Sequence, residues 1–471
     1  MSVKHLLIGI VVCFSFSACE DDFNLDDLED LSPATASWAW ARSLQGPSEE
    51  DEIDAVAADQ NGNVYISGKF EQNLMIEGVA VPLISQGMAD IMLAKYSREG
   101  KLLWFKQFGG IGEDNIFDMD CDSQGNLLLS GYFQHTIAFD DLVLTAYGGL
   151  DMIVVKISPS GEVLWAKQFG GPLNDGGNEI EIGDADQIIV GAQSQGNFES
   201  IAGTGAQDAY VMSLTEDGDL NWIRAVKGTG IARSKAIEVD HLGNVYMGGD
   251  YTGSNYVEVD SSIMLFDTFG AVDAYLIRYS PDGVFQWLKT WGSAGNDICK
   301  GLVNDAENSI YLAGQFQGTL NLNNETINAT NSRDVYLQKL DSAGNSIWLR
   351  HIKSAENLLG AELAINDKDE LLFGIGVAGI VSLQDDVASF KQIADCGGNS
   401  CPLFVQYAKD GTLLTYLHLP QSEDARLGEI AVSGHTVFVD CAFTGSLNFK
   451  DTTFTSLDRS KDALLMAISL E

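Results

Sequence analysis

Apolar and polar residues alternate along this chain in short runs, and the runs recur. One such run is Asp54-Ala55-Val56-Ala57-Ala58-Asp59, and Asn63-Val64-Tyr65-Ile66-Ser67-Gly68-Lys69-Phe70 follows it. Next come Asp90-Ile91-Met92-Leu93-Ala94-Lys95-Tyr96-Ser97 and Leu102-Leu103-Trp104-Phe105-Lys106-Gln107-Phe108. Alternation with β-branched and aromatic enrichment predicts strands, and helical periodicity with caps is missing. Turn chemistry separates the runs. Gln60-Asn61-Gly62 follows the first, Arg98-Glu99-Gly100 follows the third, and Ser280-Pro281-Asp282-Gly283 is a later copy of the second turn.

The four-run unit is itself repeated. Leu102-Leu103-Trp104-Phe105-Lys106-Gln107-Phe108-Gly109-Gly110 is echoed by Val163-Leu164-Trp165-Ala166-Lys167-Gln168-Phe169-Gly170-Gly171. Weaker copies begin at Trp40, Trp222, Trp287 and Trp348, and Thr415 fills the seventh slot; Trp38 is out of register. Four short antiparallel strands at this period read as propeller blades. A lone four-stranded sheet leaves two apolar faces bare, and radial stacking covers both. The chain enters on a fourth-type strand, Trp40 to Leu44, and ends on a third-type strand, Asp462 to Leu470. The expected fold is all-β: a seven-bladed β-propeller of four-stranded antiparallel blades over residues 38–471, closed by the N-terminal strand in the last blade.

Three motifs carry a family resemblance: Trp-x-Lys-Gln-Phe-Gly-Gly, Gly-Asn-Val-Tyr-x-x-Gly and Asp-x-x-x-x-Lys-Tyr-Ser-x-x-Gly. Together they resemble the bacterial seven-bladed β-propeller (SBBP) repeat family across essentially all of 38–471, with blades three, six and seven drifted. The resemblance implies the fold and an extracytoplasmic location. It implies no single activity.

The N-terminus reads as a targeting device. Lys4 precedes an apolar stretch, Leu6 to Phe16, that is too short to span a bilayer. Phe16-Ser17-Ala18-Cys19 resembles a bacterial lipobox, which predicts a signal peptide over 1–18 and a diacylglyceryl anchor on Cys19. The following Glu20-Asp21-Asp22-Phe23 resembles the acidic export signal of Bacteroidetes surface lipoproteins, and 19–37 reads as an acidic tether. The expected location is the outer membrane, lipid-anchored and facing the cell exterior.

Charge narrows the partners. The chain has 67 acidic against 27 basic residues, a net charge of −40. Such a field repels phosphate backbones, which excludes nucleic acid as a partner, while divalent cations and basic partners remain compatible with it.

Candidate chemistry lies in two repeated sets of aspartates. Asp51, Asp114, Asp175, Asp297 and Asp424 follow the tryptophan slots by nine to eleven residues, and Arg233 and Asn357 occupy the two remaining places. Asp90, Asp151, Asp208, Asp273, Asp334 and Asp462 precede or begin the third runs, with Cys401 in the sixth copy. Each carboxylate is expected to accept backbone N–H groups of its connecting loop. The functional reading is a carboxylate ring at the channel mouth, suited to Ca²⁺ or to sugar hydroxyls. Arg233 among these acids would be a fork for an acidic or polyhydroxyl ligand, or would neutralise its neighbours. Cys396 and Cys401 flank a small loop where an oxidising exterior permits a disulfide, and the 374–401 connection is expected to stand proud of that face. Cys121, Cys299 and Cys441 are expected to be buried thiols. Nucleophile-elbow, zinc-protease, phosphate-loop and dinucleotide motifs do not occur. The expected function is therefore a non-catalytic binding or scaffold module for a glycan or a partner protein. The alternative is an enzyme acting on extracellular polysaccharide, a hydrolase or lyase, through acidic residues at the propeller face.

Overall fold

A computed structural model describes residues 36–48, 52–204, 206–322, 325–330, 333–354, 359–384, 390–418, 424–450, 452–456 and 461–470. For 359–361, 394–399 and 424 it describes the backbone only. Among the described residues every regular element is a strand.

The recurring unit is an antiparallel quartet, as the alternation requires. In blade one Ala55–Ala58, Val64–Phe70, Asp90–Tyr96 and Leu102–Gly110 pair in succession. The first strands of the later blades are Asn115–Cys121 (blade two), Asp175–Ile182 (three), Ala232–Val239 (four), Ile298–Asn304 (five), Leu359–Ile365 (six) and Asp424–Ser433 (seven). Blade seven takes its fourth strand from the other end of the chain. Ala36–Gln45 pairs antiparallel with Asp462–Leu470, from Ala36↔Leu470 to Leu44↔Ala463. A register shift between Trp38 and Trp40 explains why Trp38 falls outside the repeat.

The connection from second to third strand is more than the loop expected from sequence. In blades one, four, five and seven it forms a hairpin of its own, for example Ser254–Val259 with Ser262–Asp267. In several blades this arm reaches back and pairs with the fourth strand of the preceding blade, as in Leu44↔Ile76, Gly109↔Ala138, Val226↔Val257 and Ile352↔Leu383. In blade six the connection is carried by two long strands, Leu371–Gln384 and Phe390–Tyr407, the first pairing with the fourth strand of blade five at Ile352↔Leu383; residues 385–389 between them lie outside the described residues.

The core sits between successive blades, where the inward faces of adjacent sheets meet. Val64, Ile66, Met92 and Ala94 of blade one pack with Phe438 and Leu465 of blade seven. Ile91, Leu93 and Phe108 pack with Leu127, Leu129 and Ile153 of blade two. The recurrence of the tryptophan runs along the chain has a mechanical cause. Trp104 Nε1 donates to the Pro159 carbonyl in the third-to-fourth turn of the next blade at 3.2 Å, and Trp165, Trp222 and Trp348 repeat the bond to Glu216, Pro281 and Lys409. Trp40 of blade seven makes it to Arg98 of blade one at 2.9 Å. Gly100 (φ +76°) lies against the Trp40 ring, where a Cβ would come within 2.6 Å.

Candidate functional site

The strand order gives the molecule two ends. The lower face carries the tight first-to-second and third-to-fourth turns. The upper face carries the second-to-third arms and the connections into the next blade.

On the upper face the repeated aspartates act on backbone. Asp90 accepts the Gln86 N–H at 3.0 Å and Gln107 Nε2 at 2.6 Å, and Asp151 does the same with Tyr147 and Gln168. This explains the Gln-Phe-Gly-Gly part of the repeat: Gln supplies the donor, and a Cβ on Gly109 would strike the Asp90 carboxylate. In the other set, Asp175 accepts the Gly171 N–H at 2.6 Å, Asp297 the Ser293 N–H at 2.6 Å, and Asp114 the Gln134 N–H at 3.2 Å. All three are buried. Burial pushes the Asp114 carboxyl up to about 7 and Asp175 to about 6, and it raises Asp297 as well, against the lowering effect of these donors. Asp51 and Asn357 lie outside the described residues, as does the side chain of Asp424. Arg233 Nη1 pairs with Asp250 Oδ2 at 2.6 Å, so the guanidinium answers a buried carboxylate of its own blade. Cys401 is disulfide-bonded, and the side chain of Cys396 lies outside those described. Among the described residues Cys121, Cys299 and Cys441 are free, with Cys121 only half-buried.

The first strands bring together residues that the sequence reading did not single out. A central cavity of about 220 Å³ is lined from every first strand, and its polar walls include Asp118, Asp120, Glu179, Glu181, Glu238 and Glu429. Burial raises all six carboxyls. Glu179 and Glu238 reach about 8 and Asp120 about 6, and neighbouring acids push Glu181 and Asp118 well above their usual range. Lys300 lines the same cavity, pairs with Glu362 and is lowered by its own burial. Toward the lower face the channel widens into a space of about 480 Å³ bordered by Glu181, Glu238, Asp184 and His241, where His241 Nδ1 lies 2.7 Å from Asp184 Oδ2. Among the described residues no group of three His, Cys, Asp or Glu side chains is arranged to hold a metal ion.

The signal for this cluster was present as Asp118-x-Asp120, Glu179-x-Glu181 and Ala236-x-Glu238. Alternation shows which positions share a face of a strand, and it does not show that this face lines the channel rather than solvent.

A second cavity opens on the upper face between blades two and three. It holds about 240 Å³ and is lined by Phe117, Tyr132, Asn174, Gln193, Gln195 and Gln207, with Glu113 and Asp175 at its edge. Phe117 reaches it from a bulge: the first strand of blade two slips register between Ile116 and Asp118, which turns the extra side chain out of the ladder. The Phe117 and Tyr132 rings lie 5.3 Å apart, and Tyr132 OH donates to Glu113 Oε1 at 2.7 Å. Lys69 Nζ stands 3.7 Å behind Glu113. Gln207 donates to Gln193, and Asn174 Oδ1 accepts the Leu150 N–H at 3.1 Å. Gly149 leaves room for this bond, since a Cβ there would come within 2.1 Å of Asn174 Oδ1 and displace the amide. Tyr147 and Leu173, 67% and 50% exposed, stand in the neighbouring loops.

No protein-family model matches the chain. Among curated proteins it is similar to an uncharacterised WD repeat-containing protein of Acanthamoeba polyphaga mimivirus, 19% identical over 269 residues. That match covers 54% of this chain and 17% of that protein. The regulatory protein FlaEY of Caulobacter vibrioides is 23% identical over 292 residues, 56% of this chain and 30% of that protein. The matched stretch thus spans less than a third of either curated relative. Among solved structures, a protein of unknown function from Dyadobacter fermentans superposes with a TM-score of 0.45 at 8% identity, covering 93% of this chain and all of that one. The polysaccharide lyase Uly1 gives 0.44 at 11%, covering 90% and 91%.

Proposed function

We propose that this is a lipid-anchored surface protein of the SBBP kind, and that its quartets close into a seven-bladed β-propeller serving as a non-catalytic binding module. The mature chain would begin at Cys19, with 19–37 as the tether. Three observations support closure: the pairing of Ala36–Gln45 with Asp462–Leu470, the Trp40–Arg98 bond, and contact between the first strands of blades seven and one. Closure removes the two sheet edges that an open ring would expose.

The observation that carries the binding reading is the upper-face cavity between blades two and three. It is concave and sets two aromatic rings beside a cluster of amide side chains: Phe117 comes from a bulge, Tyr132 and Gln193 from second strands, and Asn174, Gln195 and Gln207 from connections. The repeated acids are engaged in the scaffold, so binding falls to the positions where blades differ. Asp175 is the one loop aspartate of the expected ring that lines this cavity.

Cells displaying the full chain test the reading. They should retain polysaccharide or a partner protein, and Cys19→Ala should release the protein from the membrane fraction. Retention should fall at least tenfold with the double change Phe117→Ala and Gln195→Ala, at unchanged surface protein level. Shortened polysaccharide in the medium would instead establish the enzymatic alternative, and undiminished retention by the double variant would remove the cavity from the proposal.

A further inference from the structure

We infer that the upper-face cavity accepts a neutral sugar ring and excludes acidic ones, an inference that rests on the binding reading above. Size comes first. About 240 Å³ is below the roughly 300–1,000 Å³ of pockets that enclose drug-sized ligands, so the cavity fits one ring of a chain end or branch.

Chemistry comes second. Asn174, Gln193, Gln195 and Gln207 carry both carbonyl acceptors and NH₂ donors, and the bonds to Asn174 Oδ1 and between Gln207 and Gln193 leave further donor and acceptor capacity on these amides. A hydroxyl is likewise both donor and acceptor, so neighbouring hydroxyls on a ring pair with such amides without any net charge. Phe117 and Tyr132 supply an apolar surface for the C–H face of the ring, and Tyr132 is held by its bond to Glu113.

Charge comes third and decides the class. Among the described residues the cavity wall contains no Lys, Arg or His, while Glu113 and Asp175 both line it. Lys69, close by, is paired with Glu113. Arg233, the cation the sequence suggested for an acidic ligand, belongs to Asp250. A uronate, sulfate or phosphate group would enter a protein of net charge −40 with no counter-ion waiting, and would leave its own charge desolvated beside a carboxylate. Neutral hydroxyls meet no such cost.

The test is a titration of the detergent-solubilised full-length protein with matched oligosaccharides. Neutral probes are hexamers of glucose, mannose, xylose and N-acetylglucosamine; acidic probes are hexamers of galacturonate and of mannuronate. At least one neutral probe should bind. Its affinity should fall at least tenfold in Gln193→Ala and in Gln195→Ala, and change less than twofold between 50 and 500 mM NaCl, because no ion pair forms. Gln195 is exposed and Gln193 half-buried, and thermal melting checks that the variants fold. An acidic hexamer that binds as tightly, with the same loss in the glutamine variants, would overturn neutrality and leave the binding site standing. Neutral binding unaffected by either glutamine change, or binding of no probe at all, would overturn the sugar assignment itself.

Discussion

Asp120, on the first strand of blade two, and Asp122, two residues on in the turn that follows it, are driven in opposite directions by their environments. Both lose water, and in both burial is the largest influence, tending to raise the carboxyl. Asp122 nevertheless ends below its usual range. Asn126 donates to it from its side chain and its backbone, at 2.8 Å each, and Lys156 Nζ lies 2.9 Å away. Asp120 has donors too, the N–H groups of Cys121 and Ile182. It lacks a cation and faces Asp122, and it rises to about 6. The first pattern recurs at the lower-face turns as Asp59 with Lys95 and Asp305 with Lys339. The second recurs along the channel at Glu179, Glu181 and Glu238. Burial alone does not decide these two acids: the donors and the cation around Asp122 outweigh it, and the donors around Asp120 do not.

The comparison can be broken at its strongest point first. Asp122→Ala should cost about 3–5 kcal/mol in urea denaturation, because it strands Lys156, a buried cation, without a partner. A loss below about 1 kcal/mol would mean the turn pairs are decorative. The channel acids predict the next largest effect, a dependence on pH. Their folded carboxyls titrate above their unfolded values, so the folded state holds protons more firmly and gains stability as pH falls. Between about pH 8.5 and 6, through the values near 8 at Glu179 and Glu238, stability should rise by about 2–3 kcal/mol for each of the two. The lowered acids Asp59, Asp122 and Asp305 act in the opposite sense only below about pH 4, where their contribution is lost. A flat profile from pH 6 to 8.5 would erase the distinction between the two groups. The smallest effect sharpens it. Glu181→Gln removes a charge that burial and four neighbouring acids disfavour, and should stabilise the protein by about 1 kcal/mol at pH 8. The gain should shrink toward pH 5, because the cost of holding Glu181 protonated in the folded state falls as pH approaches its unfolded value; an equal gain at both pH values would assign it to packing.

What the sequence by itself determined is whatever depends on local pattern. Alternation defined the strands to within a residue or two, as with Asp462–Leu470, and the spacing of the tryptophan runs defined the repeat and the pairing of the N-terminal strand with that last segment. The fixed places of Asp114, Asp175 and Asp297 after each tryptophan were enough to expect loop-capping carboxylates, because that role needs only nearby backbone N–H groups. The rest depends on which blade faces which. Phe117 enters the upper-face cavity through a bulge, and a bulge is invisible to a two-residue period. The arms that pair with the preceding blade join segments over 20 residues apart, as Gly109 does with Ala138. Arg233 gives the same lesson at one residue: its place in the repeat was legible, but Asp250 across the ladder decided what its charge is for. The channel acids come from several first strands, and each looks like an ordinary polar position until the packing of those strands places it beside the others, where lost water and like charge raise these carboxyls together.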